Sequence, residues 1–254
     1  MNTRLVALVT GSRQGIGRAV AEALAGSGFD LALFDREPCE DTEAACRGLG
    51  AATLSLQGDL ADLSSHGRTI ETVADRLGRL DCLVNNAGIG APVRGDLLDL
   101  KPDNFDRVIA VNLRGTMFLT HAAVRWMLAH PASDAASRSI VTVTSVSAEM
   151  ANPERVEYCV SKAALSMWVR ALAVRLAPEG IGVFEVRPGI IRTGMTAPVT
   201  ARYDERIAEG LVPSRRWGEP EDVAKAVIAL AQPGLAFATG SVLHVDGALS
   251  VSRF

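Results

Sequence analysis

Tyr158 and Lys162 stand four residues apart in a stretch of helical period, so their side chains share one face about a turn apart. Ser145 lies thirteen residues before Tyr158, at the end of an apolar run. These residue types suit a carbonyl reduced by hydride, or the reverse oxidation of an alcohol. Reduction needs a proton donor at the oxygen and oxidation needs a base there. A tyrosine with a pKa of about 10 is a poor base near neutrality. A lysine cation and an oxidised nicotinamide close by both favour the phenolate. Lowering the phenol by about 3 units corresponds to roughly 4 kcal/mol of differential interaction. A serine hydroxyl orients the same oxygen. Taken alone, Tyr-x-x-x-Lys is an ordinary half-exposed helical pair; its combination with Ser145 and a glycine-rich loop carries the chemistry.

That loop is Thr10-Gly11-Ser12-Arg13-Gln14-Gly15-Ile16-Gly17, placed where a first strand ends and a first helix opens. Its spacing is G-x-x-x-G-x-G. Glycines let the backbone approach a pyrophosphate, and free N–H groups at the helix start hold its charge. The second strand ends on Asp35, whose carboxylate suits the adenosine ribose hydroxyls and repels a 2′-phosphate, which favours NAD. Arg13 and Arg36 stand close enough in sequence to pair with such a phosphate, so NADP stays open.

The elements that position these residues follow from periodicity. Short apolar, β-branched runs alternate with helical stretches, the pattern of a doubly wound α/β fold with a parallel sheet. Strands are expected at Leu5–Thr10, Leu31–Asp35, Ala52–Gln57, Cys82–Asn85, Ser139–Ser145, Gly182–Arg187 and Val242–Val245. Helices are expected near Gly17–Ser27, Glu40–Leu49, Leu63–Leu77, Pro102–Asn112, Thr116–Ala129, Tyr158–Leu176 and Glu219–Ala231. His130–Arg138 and Gly194–Pro213 read as loops, the second a mobile lid around an amphipathic piece, Arg202–Glu209. No linker or repeat divides the chain, so residues 1–254 read as one domain.

With 254 residues and 48% hydrophobic content the chain can bury a large core. A net charge of −3 gives no electrostatic pull toward nucleic acid or an anionic membrane. No apolar run approaches the roughly 20 residues of a membrane helix, and the start lacks the plan of a signal peptide. Cys39, Cys46, Cys82 and Cys159 form no Cys-x-x-Cys pair and read as reduced thiols of a cytoplasmic protein. His66, His121, His130 and His244 show no metal-ligand spacing, so no metal is expected. There is no G-x-S-x-G elbow for serine-hydrolase chemistry. Trp126, Trp168 and Trp217 read as packing residues, although Trp217, beside Arg215 and Arg216, could line the mouth of the site.

Taken together, the loop Thr10–Gly17, Asp59, Asn85-Asn86-Ala87-Gly88, Asn112, Ser145, Tyr158 with Lys162, Pro188-Gly189 and Thr193 make the chain resemble a short-chain dehydrogenase/reductase over nearly its whole length. The resemblance implies a Rossmann-type sheet of about seven parallel strands and four catalytic residues: Asn112, Ser145, Tyr158 and Lys162. Tyr158 would be the acid/base, Ser145 would hold the substrate oxygen, Lys162 would bind the nicotinamide ribose, and Asn112 would anchor a water in a proton relay. Cofactor contacts would come from Gly11, Arg13, Gln14, Gly15, Ile16, Gly17, Asp35 and Arg36, with Asp59 and Leu60 flanking adenine. Asn86, Ala87 and Gly88 would pack along the ribose, and Pro188, Gly189, Ile191 and Thr193 would meet the nicotinamide. Asp59 has an alternative use as a cap for the helix that follows.

Within the family the chain most resembles the bacterial 3-oxoacyl-[acyl-carrier-protein] reductase group. Phe184, Glu185 and Ala248 depart from the common pattern. A sugar or polyol dehydrogenase is the alternative. An S-adenosylmethionine methyltransferase shares the glycine turn and the acid after the second strand but gives Ser145, Tyr158 and Lys162 no role, and a non-catalytic nucleotide-binding protein has no use for a filled tetrad. Apolar faces on Thr116–Ala129 and Tyr158–Leu176 fit the homodimer or homotetramer the family forms. Small apolar residues in 89–95 and 146–151 suggest a modest, mostly nonionic alcohol, ketone or acyl-thioester substrate.

Overall fold

The computed structural model describes residues 4–131 and 138–253. Most of the loop expected over His130–Arg138 lies outside them. Seven strands form one sheet: β1 (Leu5–Thr10), β2 (Phe29–Asp35), β3 (Thr53–Gln57), β4 (Cys82–Asn85), β5 (Ser139–Val143), β6 (Gly182–Pro188) and β7 (Val242–Val245). Their order is β3-β2-β1-β4-β5-β6-β7 and every pairing is parallel.

Alternation along the strands explains how both faces become buried. Ala7 and Val9 of β1 face a core shared with helices α1 (Gly15–Gly26), α2 (Glu40–Gly48) and α8 (Pro220–Ala231). Val6 and Leu8 face the opposite core, built with α3 (His66–Leu77), α5 (Thr116–Ala129) and α6 (Val156–Leu176). Helix α4 (Pro102–Ile109) leads into α5, and α7 (Thr200–Ala208) lies between β6 and α8.

Three elements differ from the sequence expectation, each for a local reason. β5 ends at Val143 rather than Ser145, because the chain turns into a short 3₁₀ segment, Val146–Ala148, whose first N–H groups need a cap; Ser145 Oγ accepts from Ser147 N. The helix expected over Pro102–Asn112 is α-helical only to Ile109. It continues as a π-helical stretch, Ala110–Gly115, directly into α5, with Gly115 lying so close to Leu60 that a Cβ would sit 2.3 Å from the Leu60 carbonyl oxygen. The segment expected as a mobile lid around the amphipathic piece Arg202–Glu209 carries α7 there, with its own small core of Ile207, Val212 and Trp217. Trp217 is buried there and donates from Nε1 to Asp204 Oδ1 at 2.7 Å, so it anchors this segment rather than lining a mouth.

Candidate active site

The glycine loop is shaped by contacts that leave no room for side chains. A Cβ on Gly17 would lie 2.0 Å from the Gly11 carbonyl oxygen, and one on Gly11 would lie 2.8 Å from Ala87 Cα. Gly15 adopts φ +58°, a region where only glycine is free of strain. Helix α1 opens from Gln14 with no side-chain cap and no acidic residue in its first turn. Its first N–H groups are therefore free for an anion, and the helix dipole adds attraction. This cradle fits a dinucleotide pyrophosphate.

Beyond it, Asp35 ends β2. Its carboxylate accepts from Arg13 N at 3.1 Å and Glu37 N at 3.2 Å, which fixes it at the rim of the cleft. Arg36 is exposed and sits 3.8 Å from Glu37, an ion pair too open to hold it in place. Asp59 accepts from Ala61 N at 2.8 Å, turning the chain after β3. The capping alternative for Asp59 does not hold: Asp62 takes that part, accepting from Ser64 N at 3.0 Å.

At the other end of the same cleft, of about 730 Å³, stand Ser145, Tyr158 and Lys162. Every expected cofactor contact lines this cavity, from Gly11 through Asp35 and Gly88 to Thr193. Asn112 does not. It is fully buried behind the wall, where Oδ1 accepts from Ile89 N at 2.8 Å and Nδ2 donates to Ile89 O and Ser161 Oγ. The π-helical turn aims its amide at the loop after β4, so its side chain braces the wall beside Gly88.

Tyr158 is buried, and burial pushes its phenol above the ordinary tyrosine value. The Arg155 cation and a hydrogen bond with Ser145 oppose that rise. Since Ser145 Oγ already accepts from Ser147 N, its own proton is left for the phenol oxygen. Lys162 is also buried, and desolvation lowers it to about 8, with Glu185 pulling the other way. Its Nζ donates to Val143 O at 3.1 Å and lies 5.7 Å from the centre of the Tyr158 ring. In the chain by itself burial dominates at the phenol, and the cations that oppose it most are Arg155 and Arg94.

Arg155 is the functional residue that sequence reasoning missed, together with Arg94 and Arg206, all three in the cavity wall. The signal for Arg155 is its place one helical turn before Tyr158; nothing in spacing points to Arg206. His66 and His244 are engaged by Leu60 O and Glu149, and no metal-binding group of His, Cys, Asp or Glu occurs among the described residues.

A family model described as "Enoyl-(Acyl carrier protein) reductase" matches residues 11–250. The 3-oxoacyl-[acyl-carrier-protein] reductase of Synechocystis is 34% identical, with 97% of each chain covered. An L-rhamnose 1-dehydrogenase (NAD(P)(+)) of Sphingomonas is 32% identical, with 96% of each covered. Among solved structures, a 3-oxoacyl-[acyl-carrier protein] reductase from Brucella melitensis in complex with NAD is 54% identical, covers 100% of both chains and has a TM-score of 0.97.

Replacing Gly17 by Ala tests the cradle. The new methyl would collide with backbone rather than with a movable side chain, so NADH binding by fluorescence titration is expected to weaken at least about tenfold, equivalent to roughly 1.4 kcal/mol. Unchanged affinity in a folded variant would remove the loop from the binding site.

Proposed function

Because the chain belongs to the short-chain dehydrogenase/reductase family and is an NAD(P)-dependent oxidoreductase, we propose that it interconverts a secondary alcohol and its ketone through Tyr158, with NAD as the preferred cofactor. One observation carries this reading: the buried, Ser145-bonded phenol of Tyr158 shares a single cleft with the glycine cradle. Bound in that cleft, a nicotinamide supplies hydride in reduction and accepts it in oxidation. The Ser145 hydroxyl holds the substrate oxygen beside the phenol. In reduction Tyr158 gives its proton to that oxygen as the C=O π bond is lost, which yields the alcohol and a phenolate. Lys162, poised at about 8, is able to release a proton near neutral pH to refill the phenol. Oxidation runs the same transfers backward. Asn112 holds the wall in which Lys162 works. The relatives' names supply two substrate classes, 3-oxoacyl thioesters and sugars.

The preference for NAD is supported by Asp35. Its carboxylate, fixed by two backbone N–H groups at the end of β2, suits the adenosine ribose hydroxyls and would repel a 2′-phosphate. An NAD-complexed relative at 54% identity is consistent with it.

A second copy of the chain is the fitting cover for the outer side of α5 and α6, where Phe118, Val160, Met167 and Val174 are exposed together on two neighbouring helices. The four cysteines are free, in keeping with a reducing cytoplasm, and no helix among the described residues is long and apolar enough to cross a membrane.

Three measurements bear on this. Tyr158→Phe is expected to lower kcat by at least about a hundredfold with NADH affinity unchanged, as loss of a general acid does; near-normal turnover would overturn the mechanism. Wild-type kcat/KM is expected to favour NADH over NADPH by at least about tenfold, and Asp35→Ala to narrow the gap by roughly 1 kcal/mol or more; a wild-type preference for NADPH would refute the assignment. Light scattering at micromolar concentration is expected to show a dimer or tetramer, and the double variant Met167→Glu, Val174→Glu a smaller species; a monomeric wild type would rule the interface out.

A further inference from the structure

Beyond the phenol, the cleft wall carries cations that none of the steps above uses. Arg155 stands on the turn into α6, half-buried, with its guanidinium carbon 5.1 Å from the centre of the Tyr158 ring. Nη2 donates to Ser147 Oγ at 3.0 Å, while Nε is buried with no hydrogen-bond partner. Arg94, half-buried, arrives from the loop after β4, and Arg206 from α7; neither side chain makes a hydrogen bond or ion pair among the described residues. The acids that line the cleft, Asp35, Glu37 and Asp59, all stand at the adenosine end, on or after β2 and β3. Glu154, which both Arg94 and Arg206 influence, accepts hydrogen bonds from Arg202 at 2.9 Å and 3.3 Å.

An arginine with a buried, unpaired N–H is costly, and cations gathered on one wall repel one another, with the nearby Glu154 carboxylate already bonded to Arg202. A ligand carboxylate relieves both penalties and matches the planar fork of a guanidinium. We propose that the substrate brings this carboxylate itself: the enzyme interconverts hydroxy acids and oxo acids whose carboxylate lies within a few atoms of the reacting carbon, seated on Arg155 and flanked by Arg94 and Arg206. This rests on the alcohol–ketone reading above and narrows its substrate class. Distance separates the candidates. A guanidinium 5.1 Å from the centre of the ring that bears the reacting hydroxyl is close to the reacting centre, whereas the phosphate of a carrier-bound thioester hangs at the far end of a long flexible arm. The thioester group itself is neutral and offers Arg155 no counter-charge. A charged substrate differs from the nonionic one that the small apolar residues of 89–95 and 146–151 suggest, because the three arginines add charge to that wall.

The test uses substrates that differ in the carboxylate alone: 3-hydroxybutyrate beside its methyl ester, and gluconate beside sorbitol, with acetoacetyl-CoA as the arm whose charge is remote. Wild-type kcat/KM is expected to favour an acid over its neutral partner at least about tenfold. Arg155→Met is expected to cost the acid about tenfold to a hundredfold more than its neutral partner, mainly in KM, and Arg155→Lys to restore part of the loss. Butyrate, which has no reacting centre, is expected to compete with the acid and to lose that competition in Arg94→Met and Arg155→Met. A wild type that prefers the neutral partner or acetoacetyl-CoA overturns the proposal, as does butyrate without effect. Equal losses on both members of a pair in Arg155→Met also overturn it, since they mark a residue that only positions Tyr158. Failure to turn over any member, by a protein that binds NADH, sinks the alcohol–ketone reading instead, so the two failures are told apart.

Discussion

The constraint on which the site depends is the parting of the chain between β1 and β4. The connection leaving β1 packs α1 on one face of the sheet, and the connection leaving β4 carries α5 to the other. Where neighbouring strands send their helices to opposite faces, a crevice opens at their carboxyl ends. Here it is pinned by partly buried bonds. Thr10 Oγ1 accepts from Asn86 N and Ala87 N, both at 3.0 Å, and Asn86 Nδ2 donates to Thr10 O at 2.9 Å and Gly11 O at 3.1 Å. The cradle for the phosphates and the wall along the ribose are thereby one rigid piece. Side chains of this kind, satisfied at every donor, fix geometry to a degree that exposed loops do not.

The catalytic end is held by a different device, a set of charges taken out of water. Glu185, fully buried, accepts from Thr144 Oγ1 at 2.6 Å, Ser166 Oγ at 2.9 Å and Arg187 Nε at 2.6 Å. Arg187 reaches on to Glu149, at the end of the short 3₁₀ segment that Ser145 caps. A buried pair of this kind contributes little net stability against an apolar replacement, because desolvation offsets the attraction. What it does is locate: it ties β6 to Thr144 beside Ser145 and to the chain that forms the substrate wall. It also places a carboxylate where it counters the desolvation of Lys162. The departures at Phe184 and Glu185 then have a reason. Phe184 fills one core of the sheet, while the next residue, pointing to the opposite face, brings the charge.

Much of this was legible in the residues. Strand positions, the order of motifs and the cofactor cleft follow from periodicity and glycine spacing, because a two-residue alternation and a Cβ-free turn are local properties. What was not legible is what depends on contact between distant segments. The direction of the Asn112 side chain is set by a π-helical turn hidden in an ordinary helical pattern, which sends its amide to Ile89. Trp217 reads as a possible rim residue, yet Asp204 thirteen positions earlier draws it into a separate small core. Tyr158 and Lys162 read as a coupled pair from their spacing, but the balance between burial and charge at the phenol is set by surroundings that spacing does not encode.

That balance bears on the direction of proton flow. Burial holds the phenol above its ordinary value, so Tyr158 keeps its proton until an oxygen gaining negative charge takes it, which is what a general acid must do. Arg155 works against this, since its cation favours the phenolate. A carboxylate seated on Arg155 cancels much of that cation's field and leaves the phenol still more firmly protonated before reduction. In oxidation the hydroxy acid's carboxylate sits on Arg155 while the base acts, so the same cancellation holds and the arginine favours the phenolate only with this subsite empty. One arginine beside the phenol thus joins recognition of charge to the acid–base state of the group that transfers the proton.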